Sequence, residues 1–186
     1  MYYPNPRCLL YVAVCFIVAV TPTAKGQENL ISQKTGVQED YDKFKDKTFV
    51  SVGPQYLTLP SSSKVGRAWF SLMFSFEGSA IQSEPLGYTF GLGVIAAEQP
   101  LGSDRRLIIL ADGKRVFDDE ASLLDTRNTT AGVYQMVSLV LPPYVFRKIA
   151  AAKIVEAQIG GLIEFQFSES SMKDIKELDR RSKQRS

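Results

Sequence analysis

The sequence predicts a mainly β fold, an antiparallel β-sandwich with one short helix and a C-terminal helix. Three observations predict it. Apolar residues recur with a period of two from Phe49 onward, Gly, Pro and Ser clusters bound the runs, and two glycine dipeptides sit between runs where a hairpin needs them.

The elements follow in chain order. Phe70, Leu72, Phe74 and Phe76 alternate with Trp69, Ser71, Met73 and Ser75, and Tyr88, Phe90, Leu92, Val94 and Ala96 repeat the pattern. Each such strand buries one face. Asp112-Gly113 joins Leu107–Ala111 to Lys114–Phe117, and Gly160-Gly161 joins Ile154–Ile159 to Leu162–Phe167. A two-residue type I′ loop needs positive φ at both central positions, which these dipeptides supply at little cost. Val133, Gln135, Val137, Leu139 and Leu141 form a further strand.

Pro142-Pro143 opens a short helix through Ala152, because a missing N–H is harmless in a first turn. Ser168 or Ser171 caps a second helix, about residues 168–183, with Met172, Ile175 and Leu178 on one stripe. Seven or eight short strands at regular spacing suit an immunoglobulin-like or jelly-roll-like layout.

The N-terminus has a different composition. One cation, Arg7, precedes thirteen uninterrupted apolar residues from Cys8 to Val20, and Ala24-Lys25-Gly26 offers a small-x-small cleavage site. That is a signal peptide over residues 1–26, shorter than the roughly twenty residues a spanning helix needs. A lipoprotein would need a small residue directly before its cysteine, but Cys15 follows Val14 inside the apolar run. Residues 27–40 read as a flexible polar leader, and residues 41–186 as a single domain. The expected location is secreted or periplasmic, with no membrane span after cleavage.

Composition then removes whole classes of chemistry. Both cysteines fall in the signal and the chain has no histidine, so the mature domain lacks thiolate and imidazole. No cofactor or transition metal is expected. Without Arg7 and Lys25 the 22 basic residues become 20, equal to the 20 acidic ones, and the only basic cluster is Arg180–Arg185. Nucleic acid is not an expected partner.

The motifs in view do not fit their chemistries. Gly91-Leu92-Gly93-Val94-Ile95-Ala96 matches a dinucleotide fingerprint, but Pro100 and Gly102 arrive before any helix could form. Ser61-Ser62-Ser63-Lys64 has the spacing of penicillin-recognising enzymes, yet Lys34-Thr35-Gly36 precedes it where that family's lysine motif follows. Asn128-Thr129-Thr130 is a formal glycosylation sequon and marks a surface loop.

Two candidate sites remain. Asp118, Asp119 and Glu120, with Asp125 nearby, form an acidic loop that offers oxygen ligands to a weakly held calcium ion, without the EF-hand pattern. Trp69, Tyr88 and Tyr134, with Tyr56 and Phe90, are candidate aromatics for a sugar or peptide face.

Three stretches carry a resemblance: Tyr41-Asp42-Lys43-Phe44-Lys45-Asp46-Lys47-Thr48, Leu110-Ala111-Asp112-Gly113-Lys114-Arg115, and Lys153-Ile154-Val155-Glu156-Ala157-Gln158-Ile159-Gly160. Over about residues 41–180 the chain resembles an uncharacterised family of small exported bacterial proteins. The resemblance implies export and no activity.

The expectation is therefore a non-enzymatic, extracytoplasmic binding or structural module whose partner is a protein or polysaccharide of the envelope or the exterior. The rival is a hydrolase of envelope polymers, since two carboxylates alone can cleave a glycosidic bond.

Overall fold

Among the described residues, alternation and turn chemistry produce ten strands and two helices. The computed structural model describes residues 36–60, 63–99, 101–161 and 163–184. The expected signal peptide with its cleavage site, and leader residues 27–35, lie outside the described residues.

The strands are β1 (Val37–Asp42), β2 (Lys47–Tyr56), β3 (Val65–Glu77), β4 (Tyr88–Ala96), β5 (Arg106–Ala111), β6 (Lys114–Glu120), β7 (Ser122–Thr129), β8 (Gly132–Leu141), β9 (Val155–Ile159) and β10 (Ile163–Gln166). Helix α1 spans Pro143–Ala151 and α2 spans Glu169–Ser182. All pairings are antiparallel, in a six-stranded sheet of order β1-β2-β3-β4-β8-β7 and a four-stranded sheet of order β10-β9-β5-β6.

The two sheets share one core, as the predicted sandwich requires. Phe70, Leu72, Phe90 and Leu92 bury the inner face of the larger sheet, and Leu107, Ile109, Val155 and Ile159 that of the smaller. Only Ala121 separates β6 from β7, so the chain changes sheet at that one residue. Its methyl group is small enough for the corner, where it is 3% exposed and its N–H donates to Arg105 O at 2.9 Å.

Both helices start where the sequence places them. Pro142 precedes α1, and the Ser168 hydroxyl accepts from Ser171 N at 3.1 Å at the start of α2. Met172, Ile175 and Leu178 are buried. The Ser171 hydroxyl donates to Gln55 Oε1 at 2.7 Å, and Gln55 Nε2 donates to Asp174 Oδ2 at 2.7 Å, which fixes α2 against β2. Tyr88 joins three elements: its ring stacks on Phe146 of α1 at 3.7 Å between centroids, and its hydroxyl donates to Ser182 Oγ of α2 at 2.6 Å.

The two turns differ from each other. Ala111 faces Lys114 across a two-residue loop with Asp112 at φ 50° and Gly113 at φ 74°, as predicted. Gly160 and Gly161 also have positive φ, 59° and 63°, but Ile159 faces Ile163, so that loop has three residues. Gly160 donates its N–H to Arg106 O of the neighbouring strand at 3.1 Å.

Ten strands replace the seven or eight expected, because β1 and β7 are polar edge strands that pair through backbone and bury no alternating face. Residues 37–40, placed in the leader from sequence, are the first part of β1.

Candidate binding surface

The two outer faces of the sandwich have opposite chemistry. On the larger sheet, register aligns Trp69 with Gly93 and Met136, Ser71 with Gly91 and Ser138, and Met73 with Thr89 and Val140. From Trp69 to Ser75, Thr89 to Ile95 and Tyr134 to Val140, no outward position carries a charge. Water-facing positions of an antiparallel sheet are usually polar or charged. On the smaller sheet, Arg106, Arg115, Asp118, Glu120, Glu156 and Glu164 share the outward face with Ile108, Leu110, Gln158 and Gln166.

An aromatic row crosses the uncharged face. The Trp69 indole lies flat on Gly93, where an added methyl group would overlap ring atoms Cε2 and Cζ2. Only glycine leaves room for the ring there. Tyr134 stacks beside it at 5.9 Å and 19°, and Tyr56, 47% exposed, flanks the other side at 6.1 Å and 59°. The Arg127 guanidinium sits 4.7 Å over the Tyr134 ring, with its Nε 3.4 Å from Asp125 Oδ2. The Tyr134 hydroxyl donates to Met136 Sδ at 3.2 Å, and burial pushes that phenol's pKa up.

Bulges deliver both ends of this row. Val52 faces Leu72 but Gln55 faces Phe70, so β2 gains one residue, which turns Gln55 inward toward α2 and Tyr56 outward beside Trp69. On β7, Leu123 faces Val137 and Asp125 faces Met136, so Asp125 and Arg127 point outward to Tyr134. A strict period of two would have placed Tyr56 and Arg127 on the opposite face, which is why the sequence gives no sign of Arg127.

Of the three aromatics singled out from sequence, the structure brings Trp69 and Tyr134 together and separates Tyr88 from them. Tyr88 is a core residue, fully buried on the inner face, as is Phe90. Burial raises the Tyr88 pKa to about 12.

The acidic group is not a loop. Asp118, Asp119 and Glu120 belong to β6 and Asp125 to β7. Asp118 is bonded by Arg106 and by Arg115, whose Nη1 lies 2.9 Å from Oδ2. These guanidinium groups, Arg106 first, hold its carboxyl below the usual range. Glu120 pairs with Arg105 at 3.2 Å, Asp119 accepts from Glu120 N at 2.8 Å, and Asp125 pairs with Arg127. Alternation along strands sends these carboxylates in different directions. Among the described residues no three acidic groups converge as metal ligands.

A groove of about 540 Å³ lies on the charged face and was not visible in the sequence. Ile108 and Leu110 form its floor, Thr58, Leu59 and Pro60 one wall, and Glu156, Glu164 and Arg115 part of its rim. A bulge between Ile109 and Leu110 sets Arg115 opposite Leu110 and so turns it toward the groove. Glu156 and Glu164 stand on one exposed sheet face, and Glu164 Oε1 accepts from Gln158 Nε2 at 2.6 Å.

The chain matches no family model, and no curated protein or solved structure matches it. Among the described residues no helix is long and apolar enough to cross a membrane.

Proposed function

We propose that this chain is an exported, non-enzymatic binding module that holds a neutral polysaccharide on the outer face of its six-stranded sheet. The supporting observation is the row Tyr56–Trp69–Tyr134, in which Gly93 lets the indole lie against the sheet, Tyr134 runs near-parallel to it and Tyr56 is tilted beside it.

A pyranose ring has one face of C–H groups and a rim of hydroxyls. Flat aromatic rings suit the first, because they offer large apolar area that is already ordered. The neighbouring Ser71, Ser138 and Thr89 supply hydroxyls that can both donate and accept, as the rim requires. The outward charges of the three central strands, Arg67 and Glu77, stand at the two ends of β3, so a charged polymer would meet no counter-charge between them. Arg127 and Asp125 at the rim neutralise each other.

Co-sedimentation with insoluble neutral glycans, namely cellulose, chitin and curdlan, tests the reading. The protein should pellet with at least one of them, and Trp69→Ala should weaken retention by about tenfold, equivalent to about 1.4 kcal/mol. Retention that is absent for all three, or unaltered in Trp69→Ala, would contradict it.

A further inference from the structure

The second surface has chemistry of its own. β10 is an edge strand of four residues, paired only with β9. Phe167 N donates to Val155 O at 2.9 Å, which sets the hydrogen-bonding phase of the pair. Counting back in twos, Phe165 and Ile163 also bond to β9, while the N–H and C=O groups of Glu164 and Gln166 point away from it. These outward groups have no backbone partner among the described residues. They border the groove walled by Thr58, Leu59 and Pro60.

Asp118 is neutralised by Arg106 and Arg115, Glu120 by Arg105 and Glu177 by Arg180 and Arg181. Glu156 and Glu164 have no ion pair among the described residues, and Arg115, the one cation lining the groove, is taken by Asp118. The β10 edge thus combines a row of free backbone groups with two uncompensated carboxylates on the adjoining sheet face.

We infer that the β10 edge, beside this groove, takes an extended segment of another protein, alternating basic and apolar residues, as a fifth strand of the smaller sheet. Backbone pairing with Glu164 and Gln166 supplies affinity, and alternate side chains supply specificity. A basic side chain opposite Glu164 lies on the same sheet face as that carboxylate, within one further strand spacing of Glu156. The alternate apolar side chains of the segment lie on the opposite face, the side of Ile163 and Phe165. This inference does not depend on the glycan reading, since the two surfaces lie on opposite sheets.

The test uses the whole protein and a synthetic peptide, acetyl-Lys-Val-Lys-Val-Lys-amide. Binding is followed by amide chemical shifts, with Glu-Val-Glu-Val-Glu as the charge control. A third peptide, N-methylated at alternate residues, is the backbone control. The basic peptide should shift the amides of Glu164 and Gln166, and Glu156→Gln with Glu164→Gln should weaken it about tenfold while leaving cellulose, chitin or curdlan retention unchanged. The N-methylated peptide, tested against unaltered protein, should lose binding without any question of misfolding. Equal binding of the acidic peptide, undiminished binding of the N-methylated one, or shifts confined to other residues would overturn the inference.

Discussion

The indole of Trp69 and the backbone of Gly93 lie in direct contact on neighbouring strands, and the space a Cβ would fill at Gly93 is occupied by ring atoms. Gly93→Ala should therefore lift the ring off the sheet and break its stack with Tyr134. Overpacking of this kind costs about 1–3 kcal/mol. Because Trp69 is the only tryptophan, its emission should shift to the red as the ring becomes solvated. A variant with unaltered melting temperature and emission would show that the ring does not rest on Gly93.

Tyr88 gives a prediction on the alkaline side. Burial holds its phenol neutral up to about 12 in the folded state, while the unfolded phenol ionises at its ordinary 10.0. A raised pKa in the folded state leaves stability unaffected below pH 10. Deprotonation then favours the unfolded chain progressively as pH rises from 10 toward about 12. Tyr88→Phe should flatten this loss, while costing about 1 kcal/mol at neutral pH for the bond to Ser182. Urea unfolding at a series of pH values checks both effects.

The two glycines of the β9–β10 turn should not be equivalent. Both have positive φ, which costs a residue with Cβ about 1–2 kcal/mol. A Cβ on Gly160 would also come within 2.7 Å of Asp104 O, whereas on Gly161 its nearest neighbour is Asp104 Oδ2 at 4.0 Å. Gly160→Val should lower the melting temperature clearly more than Gly161→Val. Equal effects would show that the turn has a different backbone.

What the sequence revealed and what it hid have physical reasons. Strands β3 and β4 were legible because a sheet with one buried face imposes alternation, and Asp112-Gly113 because few dipeptides tolerate two positive φ values. The same alternation puts Tyr88 in phase with Phe90 and Leu92, so its place in the core was available in the pattern despite its aromatic kinship with Trp69. Strands β1 and β7 stayed hidden because edge strands pair through backbone, which leaves no apolar trace. Bulges hid the ends of the aromatic row and the position of Arg115, since one inserted residue reverses every later side chain. Asp118 looked like part of a loop because its two arginines come from elsewhere along β5 and β6.

The most direct test of the central claim uses Trp69 as its own reporter. Cellohexaose, chitohexaose and laminarihexaose are titrated into the protein at neutral pH while tryptophan emission is followed. The account predicts a saturable blue shift with at least one of them, because a sugar stacked on the exposed face of the indole removes water from it. The shift should be weakened by Tyr56→Ala and Tyr134→Ala and unaffected by Glu156→Gln. Emission that stays constant through saturating concentrations of all three oligosaccharides would contradict it.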